Sequence, residues 1–333
     1  MDIIYTDRSL KQLGYLEQRV SIDMEVGTYL SGSKNDFEIT IPADMWETSF
    51  DKGSIIFEDT ESSEFGGRIQ GKTSDTAVNK VILYGFTWRG LISKQYVKPP
   101  SGQAYYLARG DANAFLREML DNSFDGLIVG NQEDAGIEIN RDLRYTNKLE
   151  AIEKTLKDVG YRIAIYMDAS NKRAVVSAVP IKDFSSSTEY SNDYGYALKA
   201  KDIENGYNHC ICLGKSELTE RTVIELFRLQ DGTITTDEDQ ANAHGITGLN
   251  RRTMIYDYSS AENEDDLIQG GMDRLKENID TRSLEISNVD HVDIGDIVGA
   301  KDRITDIYMQ KEVTSKIITG NMNRTKIQYK VGD

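Results

Sequence analysis

Three residues on one short run, His209, Cys210 and Cys212, are of the types that bind zinc. A structural zinc site needs four such side chains converging as a tetrahedron. Here the run Asn208 to Leu213 alternates with the period of a strand, so His209 points away from both cysteines. No second Cys/His pair follows, and His244 and His291 stand alone. The pattern fits a packed strand, since unbridged cysteine is among the most buried residue types. A second candidate is Asp290-His291-Val292-Asp293 with Asp296, suited to acid–base work or to a hard cation. Oxygen-ligand sites need several convergent groups, and no calcium-loop spacing is present. Gly295 and Gly299 instead mark a turn followed by a strand. Glycoside hydrolysis requires two carboxylates about 5–10 Å apart. Among 55 acidic residues that criterion selects nothing. Gly-x-Ser-x-Gly, His-Glu-x-x-His and phosphate-cradling glycine runs are missing, and Gly214-Lys215-Ser216 matches only the tail of a P-loop. Trp46, Trp88 and the 18 tyrosines are the raw material of a sugar platform. Trp88 lies in an alternating run and reads as core, and amphipathic tyrosine rings suit subunit interfaces better. The residues therefore assign no catalytic, cofactor-binding or metal site, and imply neither an enzyme nor a cofactor.

The elements that would carry these residues fall into three stretches. Residues 1–95 read as all-β. Val20 to Val26, Asn35 to Pro42, Ser54 to Glu58 and Val81 to Leu91 are strands, and Glu61 to Asp75 is a Gly- and Ser-bearing loop between the last two. Several short strands at this spacing suggest a small barrel or sandwich. Lys98 to Gly102 is a break. Residues 96–182 then read as an α+β insert. One helix spans about 111–121, capped by Asp111 with Phe115, Leu116, Met119 and Leu120 on one side. A second spans about 147–159, with a capping box of Asn147 and Glu150 and a left-handed cap at Gly160. A hairpin over 161–179 closes the insert.

Residues 183–333 return to β structure. Phe184 to Tyr196 is a polar crossing segment. Tyr207 to Leu229 forms a long hairpin with apolar residues on both faces, which predicts protein cover on both sides. Thr233 to Asn250, poor in large apolar residues, reads as a mobile loop. A helix over about 264–279 presents Ile268, Met272, Leu275 and Ile279. Acidic residues open it, which suits the dipole, and Gly270 and Gly271 weaken it. Strands follow at Ser283 to Asn288, Ile294 to Ala300, Ile304 to Thr314, Lys316 to Thr319 and Thr325 to Val331.

The totals limit the function classes. A chain of 333 residues can bury two or three domain cores. Its net charge of −16 argues against general nucleic-acid affinity and against docking on anionic lipid. Two cysteines make no disulfide framework and imply reduced thiols. No signal peptide opens the chain and no window is apolar enough to span a bilayer, so folding in a bacterial cytoplasm without membrane insertion is expected.

Four segments carry a resemblance. NHCICLGKSEL followed by TERTVIELF, then NDFEI, GFTWRGL and the closing run DIGDIVGAKDRITDIYMQKEVTSKIITGNMNRTKIQYKVG resemble tail hub proteins. These are the baseplate hub or tail-associated structural proteins of phages and prophages of Gram-positive bacteria. The resemblance implies a mainly β chain with an α+β insert, in which two tail-tube-like β-barrels, 1–95 and 183–333, flank the small domain 96–182. It implies a homotrimer whose six barrels make a pseudo-sixfold ring with a channel for DNA. Its partners would be the tail tube or distal tail protein, the tape-measure protein, and a spike or fibre protein, at the distal tip of a virion tail. The surplus acid would line the channel and keep DNA from sticking. The other readings are a peptidoglycan hydrolase, a host-glycan adhesin, and the equivalent hub of a contractile injection particle.

Overall fold

Alternation of apolar and polar side chains sets the first strands. Ser21–Gly27 buries Ile22, Met24 and Val26, and Asp36–Pro42 buries Phe37, Ile39 and Ile41. The two pair antiparallel, so both apolar sets fall on one face. The computed structural model, which describes residues 1–60, 63–186, 189–287 and 292–332, extends this pair in both directions. On one side follow Lys80–Thr87, Gly66–Asp75, Ile55–Glu58, Ile3–Thr6 and Gln12–Tyr15. On the other, Ser21–Gly27 pairs with Tyr308–Asn321, in register from Ser315↔Gly27 to Asn321↔Ser21, and Arg324–Gly332 comes next. Among the described residues this sheet has 13 strands. The first and last segments of the chain thus share one sheet. The chain divides into two compact units, Met1–Ala200 with Leu284–Asp333, and Lys201–Ser283.

Three sequence expectations change here. The stretch Glu61 to Asp75 is not a loop: Gly66–Asp75 is a ten-residue strand, and Glu61 and Ser62 lie outside the described residues. Gly66 and Gly67 answer to close packing rather than to a turn. A Cβ on Gly67 would sit 2.2 Å from the Phe86 carbonyl oxygen and 2.8 Å from the Phe37 ring. Val81 to Leu91 is not one strand either. It ends at Thr87, whose hydroxyl caps the short helix Trp88–Ile92 by accepting from Gly90 N–H. The strands read separately across Ile304 to Thr319 are one, Tyr308–Asn321, with a bulge between Val313 and Ser315. Gly67→Ala is expected to lower stability by about 1–3 kcal/mol, the usual cost of overpacking. Urea denaturation measures it, and an unchanged midpoint would refute the packing role.

The α+β insert forms as its caps foretell. Asp111 accepts from Asn113 N–H at 2.8 Å and Ala114 N–H at 3.3 Å, starting Ala112–Leu120. Asn147 does the same for Lys148–Lys157, and Gly160 closes that segment at φ +75°. The capping box is incomplete: the Glu150 carboxylate turns instead to Thr146 and Lys154. Tyr161–Asp168 and Arg173–Pro180 pair as the expected hairpin, with Ile128–Gly130 parallel to the second. The helix faces Phe115, Leu116, Leu149 and Ile152 share one core with Phe57, Trp88 and Ile92 of the first segment. That core ties the insert to the large sheet.

In Lys201–Ser283, His209–Leu213 pairs antiparallel with Val223–Arg228 and parallel with Thr253–Asp257. The helix Glu264–Glu277, capped by Asn263, covers one face. Its buried line is Leu267, Gly271 and Leu275, not the expected line through Ile279, which is 37% exposed. The glycines permit contact rather than weaken the helix. A Cβ on Gly271 would meet Cys212 Sγ at 2.3 Å, and one on Gly270 the Tyr256 hydroxyl at 2.4 Å. The opposite sheet face is not covered throughout: Val223 is 52% and Ile255 64% exposed. Thr233 to Asn250 is structured, with Ile234–Thr235 and a helix Glu238–Ala243 capped by Asp237. Ala241 and Ile246 bury there against Phe227 and Leu229, which a search for large apolar runs misses.

Candidate functional site

Of the residues singled out for chemistry, His209, Cys210, Cys212 and Trp88 are buried. Cys210 and Cys212 are buried, unbridged thiols whose sulfurs lie 3.7 Å apart beneath the helix. His209 is on the other face, as alternation requires, stacked on Phe227 with ring centroids 4.5 Å apart. Its Nδ1 lies 2.8 Å from Thr253 Oγ1 and its Nε2 2.9 Å from Glu225. Trp88 is 1% exposed, on a helix rather than a strand. Trp46 is half-buried, donates to the Phe50 carbonyl and has Lys72 over its ring. Lys215 joins two strands, as the spacing implies. Asp290 and His291 lie outside the described residues. No group of three or more His, Cys, Asp or Glu poised for a metal occurs among the described residues.

Asp293 and Asp296 belong to a different constellation. Asp296 accepts a forked pair of bonds from Arg162, Nε at 2.7 Å and Nη2 at 3.1 Å, and also from the Lys182 backbone N–H at 3.0 Å. Asp293 takes Lys316 and the other reach of Arg162. Burial pushes the Asp293 carboxyl up, but Lys316, Arg162 and Arg89 outweigh it and leave it below its ordinary value. These cations occupy the oxygens that a metal would need.

Arg89 is the centre of a second group. It is 1% exposed and donates to Glu64 through Nε at 2.9 Å and Nη2 at 3.2 Å, to Glu153 through Nη1 at 3.0 Å, and to the Ile163 carbonyl at 3.3 Å. Glu64 already takes two of these bonds, so Glu153 has the weaker share. Burial pushes the Glu153 carboxyl up to about 7 despite Arg89 and the Tyr29 N–H, with Glu312 adding repulsion. Glu153 lines a cavity of about 280 Å³ whose apolar wall includes Leu30, Tyr161, Ile163 and Ile181. A protonatable carboxyl beside an apolar cavity is what general acid catalysis uses. Here one oxygen holds Arg89 and the other the Tyr29 N–H at 2.9 Å, so the group works as a clasp.

Sequence reading missed this network. Its signal was present as single cations inside apolar strings: Arg89 in FTWRGL, Arg162 in YRIAIYM and Lys316 in TSKIIT. A charge flanked on both sides by buried residues must meet a partner.

No protein-family model and no curated protein matches the sequence. Solved structures do match in fold. The 43 kDa tail protein of prophage MuSo2 from Shewanella oneidensis is similar with a TM-score of 0.55 and 10% identity, covering 100% of this chain and 98% of that one. The tail protein from Neisseria meningitidis MC58 is similar with a TM-score of 0.51 and 12% identity, covering 100% and 96%. At these identities the likeness establishes the mainly β fold.

Proposed function

We propose that the chain is a non-enzymatic structural component of a phage or prophage tail, the hub that joins the tail tube or distal tail protein to a central spike or fibre. The observation that carries this reading is the end-to-end match with two proteins described as tail proteins, one of them from a prophage. The match runs over nearly the whole of both chains, which supports a shared fold rather than a shared fragment. The four sequence segments that resemble hub proteins point the same way.

In this reading three copies assemble, and two tube-like modules per chain, from 1–95 and 183–333, turn threefold into pseudo-sixfold symmetry. The insert 96–182 stands beside them, and the tape-measure protein ends at the ring before DNA passes through. The exposed apolar side chains Val223 and Ile255 are suited to subunit contact. The site of action is the distal tail, after folding in the bacterial host, with no specific nucleic-acid binding.

Gold-labelled antibody against this chain, applied to tail particles from a producing culture and viewed by electron microscopy, tests the proposal. Label confined to the distal tip is expected. Label along the tube, or particles without it, refutes the assignment.

A further inference from the structure

The strongest unassigned feature is a second cavity, of about 310 Å³, between the first β segment and the insert. Its apolar wall is Leu10, Leu91, Phe124 and Leu127, all packed against the main core. Arg8 and Arg68 line the same cavity. At Gly53 the Arg68 guanidinium passes the stem of Arg8: an ideal Cβ there would lie 3.6 Å from Arg68 Nη2 and 3.8 Å from Arg8 Cγ. The walls are preset. Asp7 accepts from Ser9 N–H at 2.8 Å and Lys11 N–H at 3.0 Å, which fixes the turn that holds Leu10 at φ +64°. A leucine in the left-handed region is uncommon, and residues so held cluster where a ligand is gripped.

Charge is the second half of the observation. Asp51 is shared by two cations, Lys72 at 2.5 Å and Arg8 at 2.6 Å. Arg68 is half-buried and has no acidic partner among the described residues. Asp125, the acid on the cavity wall, makes no ion pair among the described residues. In a chain of net charge −16, this is a spot with spare positive charge beside an apolar wall. We infer that the cavity binds the C-terminal carboxylate of a partner protein whose last side chain is aliphatic, with Arg68 as the principal carboxylate donor and Arg8 as its support. The planar fork of a guanidinium suits a carboxylate, and the volume is at the small end of ligand pockets, enough for one terminal residue.

The test uses the full chain with isotope-labelled leucine methyl groups and a pentapeptide ending in leucine, as free acid and as amide. The free acid is expected to shift the methyl signals of Leu10, Leu91 and Leu127 and to bind at least about tenfold tighter than the amide, the usual weight of one charge-assisted bond. Arg68→Gln should remove that preference while leaving the remaining methyl spectrum unchanged. N-acetyl-leucine should bind more weakly than the peptide, and acetate should not compete. Equal binding of acid and amide, or an unaltered preference in R68Q, overturns the carboxylate role. N-acetyl-leucine binding as tightly as the peptide overturns a protein terminus as the occupant, and competition by acetate overturns the apolar half of the site.

Discussion

Replacing Arg89 with methionine is expected to lower folding stability by about 3–5 kcal/mol, the range for breaking a buried ion pair on one side. Methionine keeps much of the volume, so the loss is not chiefly one of packing. The cost comes from Glu64 and Glu153, which would keep their burial but lose the guanidinium that answers them. Glu64 is 8% exposed and has little water to turn to. The bonds that vanish also span the chain: Glu64 precedes the strand Gly66–Asp75, Glu153 is on the helix Lys148–Lys157, and Ile163 is on the strand Tyr161–Asp168. Loosening should therefore be greatest where the insert meets the large sheet, with faster hydrogen exchange in Lys148–Lys157 than in Asp36–Pro42. Arg89→Lys should lie between, since an ammonium cannot fork onto Glu64. The triple change R89M, E64Q and E153Q should regain part of the loss, because uncompensated charge is then gone. Urea denaturation of this series decides the matter. A single R89M variant within about 1 kcal/mol of the parent would rule the cluster out as a structural centre.

Much of this architecture was legible where a local rule coincided with burial. The caps at Asp111 and Asn147 and the turn glycine at Gly160 were readable because their chemistry is local. So was the alternation in Asp36–Pro42. The misreadings share one cause, which is contact between segments distant in sequence. Gly66, Gly67, Gly270 and Gly271 carry the composition of a loop or a weak helix, yet each sits where another element comes within a side chain's width. The mistaken loop Thr233 to Asn250 earns its order through Ala241 and Ile246, small contributions that count only once Phe227 and Leu229 lie opposite. The charge network was least visible, because no window of sequence places Arg89 beside Glu153 or Arg162 beside Asp296. The cavity lined by Arg8 and Arg68 depends likewise on turns 115 residues apart in the chain, near Leu10 and Asp125.

Stability should also fall as pH rises from about 5 to 8, and Glu153 should account for most of that slope. Its carboxyl stands at about 7 in the folded chain, against an ordinary value of 4.5. Between those values the folded state keeps a proton that the unfolded chain has released, so proton binding favours folding there. The contribution is complete below the ordinary value and is lost as pH climbs through 7. A displacement of this size corresponds to about 3–4 kcal/mol at most, with each unit worth about 1.4 kcal/mol. Arg89 is bonded to the carboxyl, and Lys154, Lys157, Arg162, Glu150 and Glu312 line the same cavity; the cations limit the loss without cancelling it. Asp293 acts with the opposite sign. Held below its ordinary value by Lys316 and Arg162, it adds stability above that value and surrenders it in acid. The two together predict a maximum between about pH 4 and 5. Glu153→Gln keeps a carbonyl for Arg89 and the Tyr29 N–H but cannot titrate, so its stability should stay nearly level from pH 5 to 8. Denaturation curves for parent and E153Q across that window test the claim. If both decline in parallel, the carboxyl is ionised throughout and the alkaline loss must come from elsewhere. If only the parent declines, protonation of one buried side chain tightens the junction through which the insert is joined to the sheet.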